Sequence, residues 1–123
     1  MKILIIEDED VLAKVLEEKF KKIGFTPKIA KDGEEATKMA KAFKPNLILL
    51  DLMLPKKDGF AVLKELKGDQ SLKEIPVVII SNLEEDDNIK KGLAMGAVDY
   101  FVKSSHSINE IVDKLKSAFL KSK

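Results

Sequence analysis

The 123-residue sequence has no cysteine, which excludes disulfides, thiolate metal sites and cysteine nucleophiles. No apolar run approaches the roughly 20 residues of a membrane helix. The first apolar stretch, Ile3 to Ile6, is too short for a signal-peptide core and meets four consecutive acids, Glu7 to Asp10. Neither sign of charge is in surplus. Lys plus Arg number 22 against 21 Asp plus Glu, a net charge of +1, whereas nucleic-acid binders usually show a marked basic excess. The single histidine, His106, lies in a loop without the helical-bundle setting of a phosphohistidine relay and reads as a surface residue. These absences leave a cytoplasmic protein with no direct nucleic-acid or membrane contact.

What is present points to one packed domain over residues 1–123. Apolar residues make up 45% of the chain, enough for a core, and no linker, repeat or low-complexity segment interrupts it. Short aliphatic runs alternate with longer stretches of helical period, the mark of a parallel α/β sheet. Lys2–Ile6, Leu47–Leu50, Val77–Ile80 and Val98–Val102 read as strands covered on both faces. Thr26–Ala30 is the weakest strand, and Pro27 suits an edge position where a missing donor costs little.

Five helical stretches separate these runs. Leu12, Val15, Leu16, Phe20 and Ile23 form a stripe stopped by Gly24. Asp32 and Glu35 resemble a capping box ahead of Ala36, Met39, Ala40 and Phe43. Phe60, Leu63 and Leu66 define the third helix. The fourth, about Glu84 to Met95, has a thin stripe of Ile89 and Leu93. Ser107 and Glu110 cap the fifth, which buries Ile108, Ile111, Val112, Leu115 and Phe119. The expected fold is a doubly wound, flavodoxin-like (βα)5 domain with parallel strand order 2-1-3-4-5. Ligand sites in such sheets lie at the carboxyl ends of the strands where the winding reverses, here after strands one and three.

Strand one runs into Glu7 and Asp8, and strand three into Asp51. Clustered carboxylates repel unless a cation neutralises them. An oxygen-rich acidic site with water positions to spare suits Mg²⁺. Glu9 and Asp10 are explained by the preference for acids in a first helical turn, and Asp10 is a candidate N-cap. Ser81 and Lys103 follow strands four and five, so a hydroxyl and an ammonium converge on the same end of the sheet, where together they can hold a phosphoryl group.

Four motifs in order resemble the receiver domain of bacterial two-component response regulators, of the chemotaxis-regulator-like kind. They are Glu7-Asp8; Leu49 to Pro55 with Asp58-Gly59; Val78-Ile79-Ile80-Ser81; and Gly96 to Lys103. The resemblance covers essentially the whole chain. It implies a signalling switch rather than an enzyme that turns over a separate substrate. Asp51 would accept a phosphoryl group from a sensor histidine kinase or histidine phosphotransfer protein. Asp8, Asp51 and the main-chain carbonyl of Met53 would ligate Mg²⁺ directly, with Glu7 acting through water. Ser81 would be the switch hydroxyl, Tyr100 the switch aromatic that turns inward, and Lys103 the partner of the phosphoryl group. The downstream partner would dock on the face of helix four, strand five and helix five, with Tyr100 in its middle. The chain would be a monomer or a phosphorylation-dependent dimer. Met53 and Leu83 would flank the path of attacking water.

Three positions depart from the family pattern: Glu7 where many members have Asp, Asn82 where a very small residue is usual, and Ser104 where proline is usual. A cis bond costs roughly 2.5–4 kcal/mol before a non-proline residue, so a trans Lys103–Ser104 peptide is expected. The chain stops just after the fifth helix, which suggests either a stand-alone receiver acting through protein contacts, the favoured reading, or a piece of a longer regulator. Three other readings fare worse. A flavodoxin-like cofactor binder needs a phosphate-accepting loop where the four acids stand, and a dehalogenase-like phosphatase needs a second Asp where Met53 stands. The intact set of Asp8, Asp51, Ser81 and Lys103 argues against a receiver-shaped interaction module that is never phosphorylated.

Overall fold

The structure, a computed structural model, describes residues 1–119. Its elements are β1 (Lys2–Ile6), α1 (Asp10–Lys22), β2 (Thr26–Ala30), α2 (Gly33–Phe43), β3 (Leu47–Asp51), α3 (Gly59–Gly68), β4 (Val77–Ser81), α4 (Asp86–Ala94), β5 (Asp99–Val102) and α5 (Ile108–Phe119). All strand pairs are parallel and the order is β2-β1-β3-β4-β5. β2, with Pro27, lies at an edge as expected.

Alternation along the strands divides the core in two. Leu4, Ile6, Ile48, Leu50, Val77 and Ile79 point to the side covered by α2, α3 and α4. Ile3, Ile5, Leu47, Leu49, Val78 and Ile80 point to the side covered by α1 and α5. Each central strand is therefore apolar at successive positions, which is why its sequence reads as an unbroken run.

The helix ends show what the local sequence can specify. α1 stops in a Schellman motif at Gly24, whose φ is 101°. Phe25 N–H donates to the Phe20 carbonyl at 3.0 Å and Gly24 N–H to that of Lys21 at 3.2 Å, while the two phenyl rings meet edge-to-face at 5.2 Å. α5 has the full reciprocal capping box: Glu110 N–H donates to Ser107 Oγ, and Ser107 N–H to Glu110 Oε1, each at 3.1 Å. In α2, Asp32 caps Glu35 N–H at 2.8 Å, but the Glu35 carboxylate reaches back to Lys31 N–H instead.

Several boundaries differ from expectation. Asp10 is not the N-cap of α1; Glu9 occupies that place without a side-chain bond, and Asp10 pairs with Lys31 at 2.9 Å in the first turn. β3 and β4 each run one residue past the apolar run, to Asp51 and Ser81. β5 begins at Asp99, leaving Val98 exposed. α4 is shorter than Glu84–Met95; its one buried residue is Gly92, and Leu93 is 44% exposed rather than facing the core. No helix among the described residues is long and apolar enough to cross a membrane.

Candidate functional site

The parallel register aligns the strand ends. Ile6 sits beside Leu50, Asp51 beside Ile80, and Ser81 beside Val102. Glu7 continues β1 by one residue, its N–H donating to the Ala30 carbonyl at 2.9 Å, and Lys103 continues β5, its N–H donating to the Ser81 carbonyl at 2.8 Å. Glu7, Asp51, Ser81 and Lys103 therefore gather at the carboxyl edge of the sheet. One carboxylate oxygen from each of Glu7, Asp8 and Asp51 lies within 4.8 Å of the others, an arrangement able to hold a metal ion. Glu7 and Asp51 are buried, while Asp8 faces solvent.

Lys103 binds the cluster from the other side. Its Nζ donates to Glu7 Oε1 and to Asp51 Oδ2, both at 3.1 Å. Burial alone would lower its proton affinity, but the charges of Asp51 and Glu7 outweigh that and raise it. The link to Glu7 was not anticipated from the sequence, where Lys103 was matched with the phosphoryl group alone. Asp51 Oδ1 also accepts from Met53 N–H at 3.1 Å, which turns the chain away from the strand. Among the described residues no buried side-chain polar atom lacks a partner.

Burial, and next the charge of Asp51, push the Glu7 carboxyl up to about 7 against the opposing pull of Lys103. Between its ordinary 4.5 and about 7, the folded protein holds a proton that the unfolded chain has released. The contribution of Glu7 to stability is thus complete below the unfolded value and is lost as pH rises through the folded one. Each tenfold change in proton affinity is worth about 1.4 kcal/mol, so the loss is on the order of 3 kcal/mol. Without divalent ions, thermal unfolding followed from mildly acidic to mildly alkaline pH should show falling stability, and Glu7→Gln should flatten the curve. A Glu7→Gln profile that overlays the parent would refute this.

The two loops over the site carry the remaining groups. Ser81 is fully buried and its Oγ accepts from Leu83 N–H at 3.1 Å. Tyr100 is also buried, and its hydroxyl donates to the Leu83 carbonyl at 2.7 Å. Burial raises the proton affinity of the phenol, with Ser81 opposing. Tyr100 is thus inward, beneath the α4–β5 face rather than in the middle of its surface. Gly92 makes room for it: a methyl group there would lie 3.3 Å from the Tyr100 ring and 2.7 Å from Ile79 Cδ1. The Lys103–Ser104 peptide is trans, and Ser104 Oγ donates to Glu84 at 3.2 Å, joining the loop after β5 to the loop after β4. His106 is half-buried rather than a free surface residue, packed edge-on against Phe101 at 5.3 Å. Beside Asp51, Leu52, Met53, Leu54, Asp58, Phe60 and Leu83 line an open hollow of about 460 Å³.

Behind the site, α3 is pinned against β3. Asp58 caps α3 by accepting from Ala61 N–H at 2.9 Å, and Gly59 N–H donates to the Leu52 carbonyl at 2.8 Å. Asp58-Gly59 was visible in the sequence as a motif, but its contact with the residue after Asp51 is not a periodic signal.

The family model described as the response regulator receiver domain matches residues 3–116. A transcriptional regulator of Porphyridium aerugineum, named "Probable transcriptional regulator ycf27", is 40% identical over 102 residues, covering 83% of this chain and 41% of its own length. The alkaline phosphatase synthesis transcriptional regulatory protein PhoP of Bacillus subtilis is 38% identical over 102 residues, again 83% of this chain and 42% of that protein. The chain thus spans about two fifths of these relatives. Among solved structures, the receiver domain of Francisella response regulator 1452 has a TM-score of 0.87 at 30% identity, covering 99% of this chain and 98% of its own. The Mn²⁺-bound response regulator Rcp1 has a TM-score of 0.86 at 32% identity, covering 99% and 96%. The phosphorylated cyanobacterial phytochrome response regulator RcpA has 0.84 at 33% identity, covering 98% and 94%.

Proposed function

Because the chain belongs to the response regulator receiver family, we propose that residues 1–123 act as a single switch domain in which Asp51 accepts a phosphoryl group. The observation that carries this reading is Lys103 Nζ lying 3.1 Å from both Asp51 and Glu7 beside an acidic trio able to hold a cation. A sensor histidine kinase or a histidine phosphotransfer protein is the donor. Two solved relatives agree in kind, one bound to Mn²⁺ and one phosphorylated.

An Asp51 carboxylate oxygen attacks phosphorus, and the donor's leaving atom keeps the electron pair of the broken bond. Asp8, Asp51 and the Met53 carbonyl would hold Mg²⁺, with buried Glu7 beside them in the same cluster. Mg²⁺, when bound, offsets the charge built up in the transition state. Lys103 meets a phosphoryl oxygen. Ser81, whose Oγ accepts from Leu83 N–H, has its own proton to donate to another. The resulting change is passed to a protein partner at the face of α4, β5 and α5, where Leu93 and Val98 are exposed and α4 is lightly anchored. Incubation with acetyl phosphate should add one phosphoryl mass when Mg²⁺ is present and none when it is chelated. Absence of the adduct with Mg²⁺ and several donors would defeat the reading.

The lifetime of the phosphoryl group should be long. Hydrolysis needs water in line with the Asp51–phosphorus bond, and the side chains beside the approach, Met53 and Leu83, cannot hydrogen-bond a water. A Met53→Asn, Leu83→Glu double variant should lose the phosphoryl group roughly tenfold faster, because polar groups there can orient the attacking water. Equal decay of parent and variant, measured on purified phosphoprotein, would show that these side chains do not set the lifetime.

A further inference from the structure

All 22 basic side chains of this protein are lysines, and among the described ones Lys67 alone donates to two backbone carbonyls. Lys14, Lys31, Lys41, Lys56, Lys57 and Lys103 each face a carboxylate. Lys67, in the last turn of α3, makes no ion pair among the described residues. It is half-buried, and its Nζ donates to two backbone carbonyls, those of Lys73 at 3.2 Å and Ile75 at 3.0 Å. Its stem lies along the turn between α4 and β5, where a methyl group on Gly96 would stand 3.2–3.3 Å from Lys67 Cγ, Cδ and Cε.

An ammonium has three N–H groups to satisfy and a neutral amine has two. With two carbonyl acceptors and no counter-charge, this setting serves the neutral amine as fully as the cation. The proton affinity agrees in direction: burial lowers it, and the more distant charge of Glu74 only partly opposes this. A less basic amine gains more in free-base fraction than it loses in nucleophilicity, as thiols do.

We propose that Lys67 is a site of Nε-acylation by small activated acyl groups, either thioesters or acyl phosphates. The amine lone pair attacks the acyl carbon and a C–N bond forms. The C–S or C–O bond breaks, and thiolate or phosphate leaves with the electron pair. The proton released from nitrogen goes to water. The product amide has one N–H where the amine had two, so the carbonyl of Lys73 or of Ile75 loses its donor. Acylation therefore loosens the segment between α3 and β4 and its brace against the turn before β5. None of this chemistry draws on Asp51.

The test uses the full chain in two arms near neutral pH, one with acetyl-coenzyme A and one with acetyl phosphate. Remaining lysines are then blocked with deuterated acetic anhydride under denaturing conditions, and occupancy at each site is read by peptide mass. Lys67 should acquire acetyl groups several-fold faster than the exposed Lys21 and Lys64, and the lead should shrink at alkaline pH where every amine is neutral. A lead in one arm alone assigns the donor class. A rate at Lys67 no higher than at Lys21 and Lys64 in both arms would overturn the proposal. As a second readout, backbone hydrogen exchange over residues 72–76 and 96–98 should quicken in the acetylated chain but not in Lys67→Arg treated alike. Equal exchange in the two would overturn the loosening.

Discussion

Asp51→Asn should carry no detectable phosphoryl adduct under conditions that label the parent, and it should be the more stable protein when no divalent ion is present. The first outcome follows from chemistry. An amide oxygen is neutral and a poor nucleophile, and no other carboxylate in the cluster has Asp51's position, hydrogen-bonded to Met53 N–H and to Lys103 at the end of β3. The second outcome follows from charge. Glu7, Asp8 and Asp51 crowd together against the single ammonium of Lys103. Asparagine has a single acceptor oxygen, enough for Met53 N–H or for Lys103 but not for both; Lys103 keeps its bond to Glu7, and removal of one negative charge from the cluster is a relief on the order of 1 kcal/mol. It also removes the second-largest cause of the raised Glu7 value, so the fall in stability with rising pH should shrink. Intact-mass analysis reads the first outcome and denaturant melts with and without chelator read the second. Labelling of the variant at the parent's rate would move the phosphoacceptor elsewhere.

Gly59→Ala should cost about 2–4 kcal/mol, a large effect for a single methyl group. Alanine is the better helix former by up to about 1 kcal/mol, and Gly59 does not need a left-handed backbone, so local preference favours the change. Packing forbids it. The added carbon would stand 2.6 Å from the carbonyl oxygen of Asp51 and would also meet the Cα of Leu52. Both are backbone atoms, so no side chain can swing aside. Either α3 lifts off, breaking the Gly59–Leu52 hydrogen bond, or the end of β3 shifts and takes Asp51 with it. Phosphorylation should therefore slow along with the loss of stability. Gly68→Ala at the far end of the same helix is the control: nothing lies within 4 Å of the added carbon, and its effect should be neutral or slightly favourable. Melting curves that place Gly59→Ala within about 0.5 kcal/mol of the parent would show that this contact is not tight.

The strands were legible because their two-sided burial leaves an unbroken apolar run, and strand order followed from the handedness of parallel crossovers. The same signal ended one residue early in β3 and β4, since their last residues, Asp51 and Ser81, are polar although they continue the strands. The run Glu7 to Asp10 offered four similar acids. What distinguishes them is that β1 continues its pairing with β2 through Glu7 and buries it, whereas Asp8, Glu9 and Asp10 emerge into solvent. Local rules could not foresee the bridge from Lys103 to Glu7, which spans 96 residues, or the inward lodging of Tyr100 beside Gly92. Both depend on which helices cover which face.

Leu83 holds Ser81 and Tyr100 by its backbone alone: its amide donates to the Ser81 Oγ and its carbonyl accepts from the Tyr100 hydroxyl. If the Ser81 hydroxyl swings toward a phosphoryl oxygen, it lets go of the amide end of the residue whose other end retains the Tyr100 hydroxyl. Transmission would thus be written in the main chain, which every amino acid except proline supplies in full. The Leu83 side chain faces the hollow beside Asp51 and takes no part in that linkage. On the proposed reading, timing and transmission would reside in separable halves of one residue, so a substitution at position 83 would reset how long the signal persists without rewriting how it is relayed.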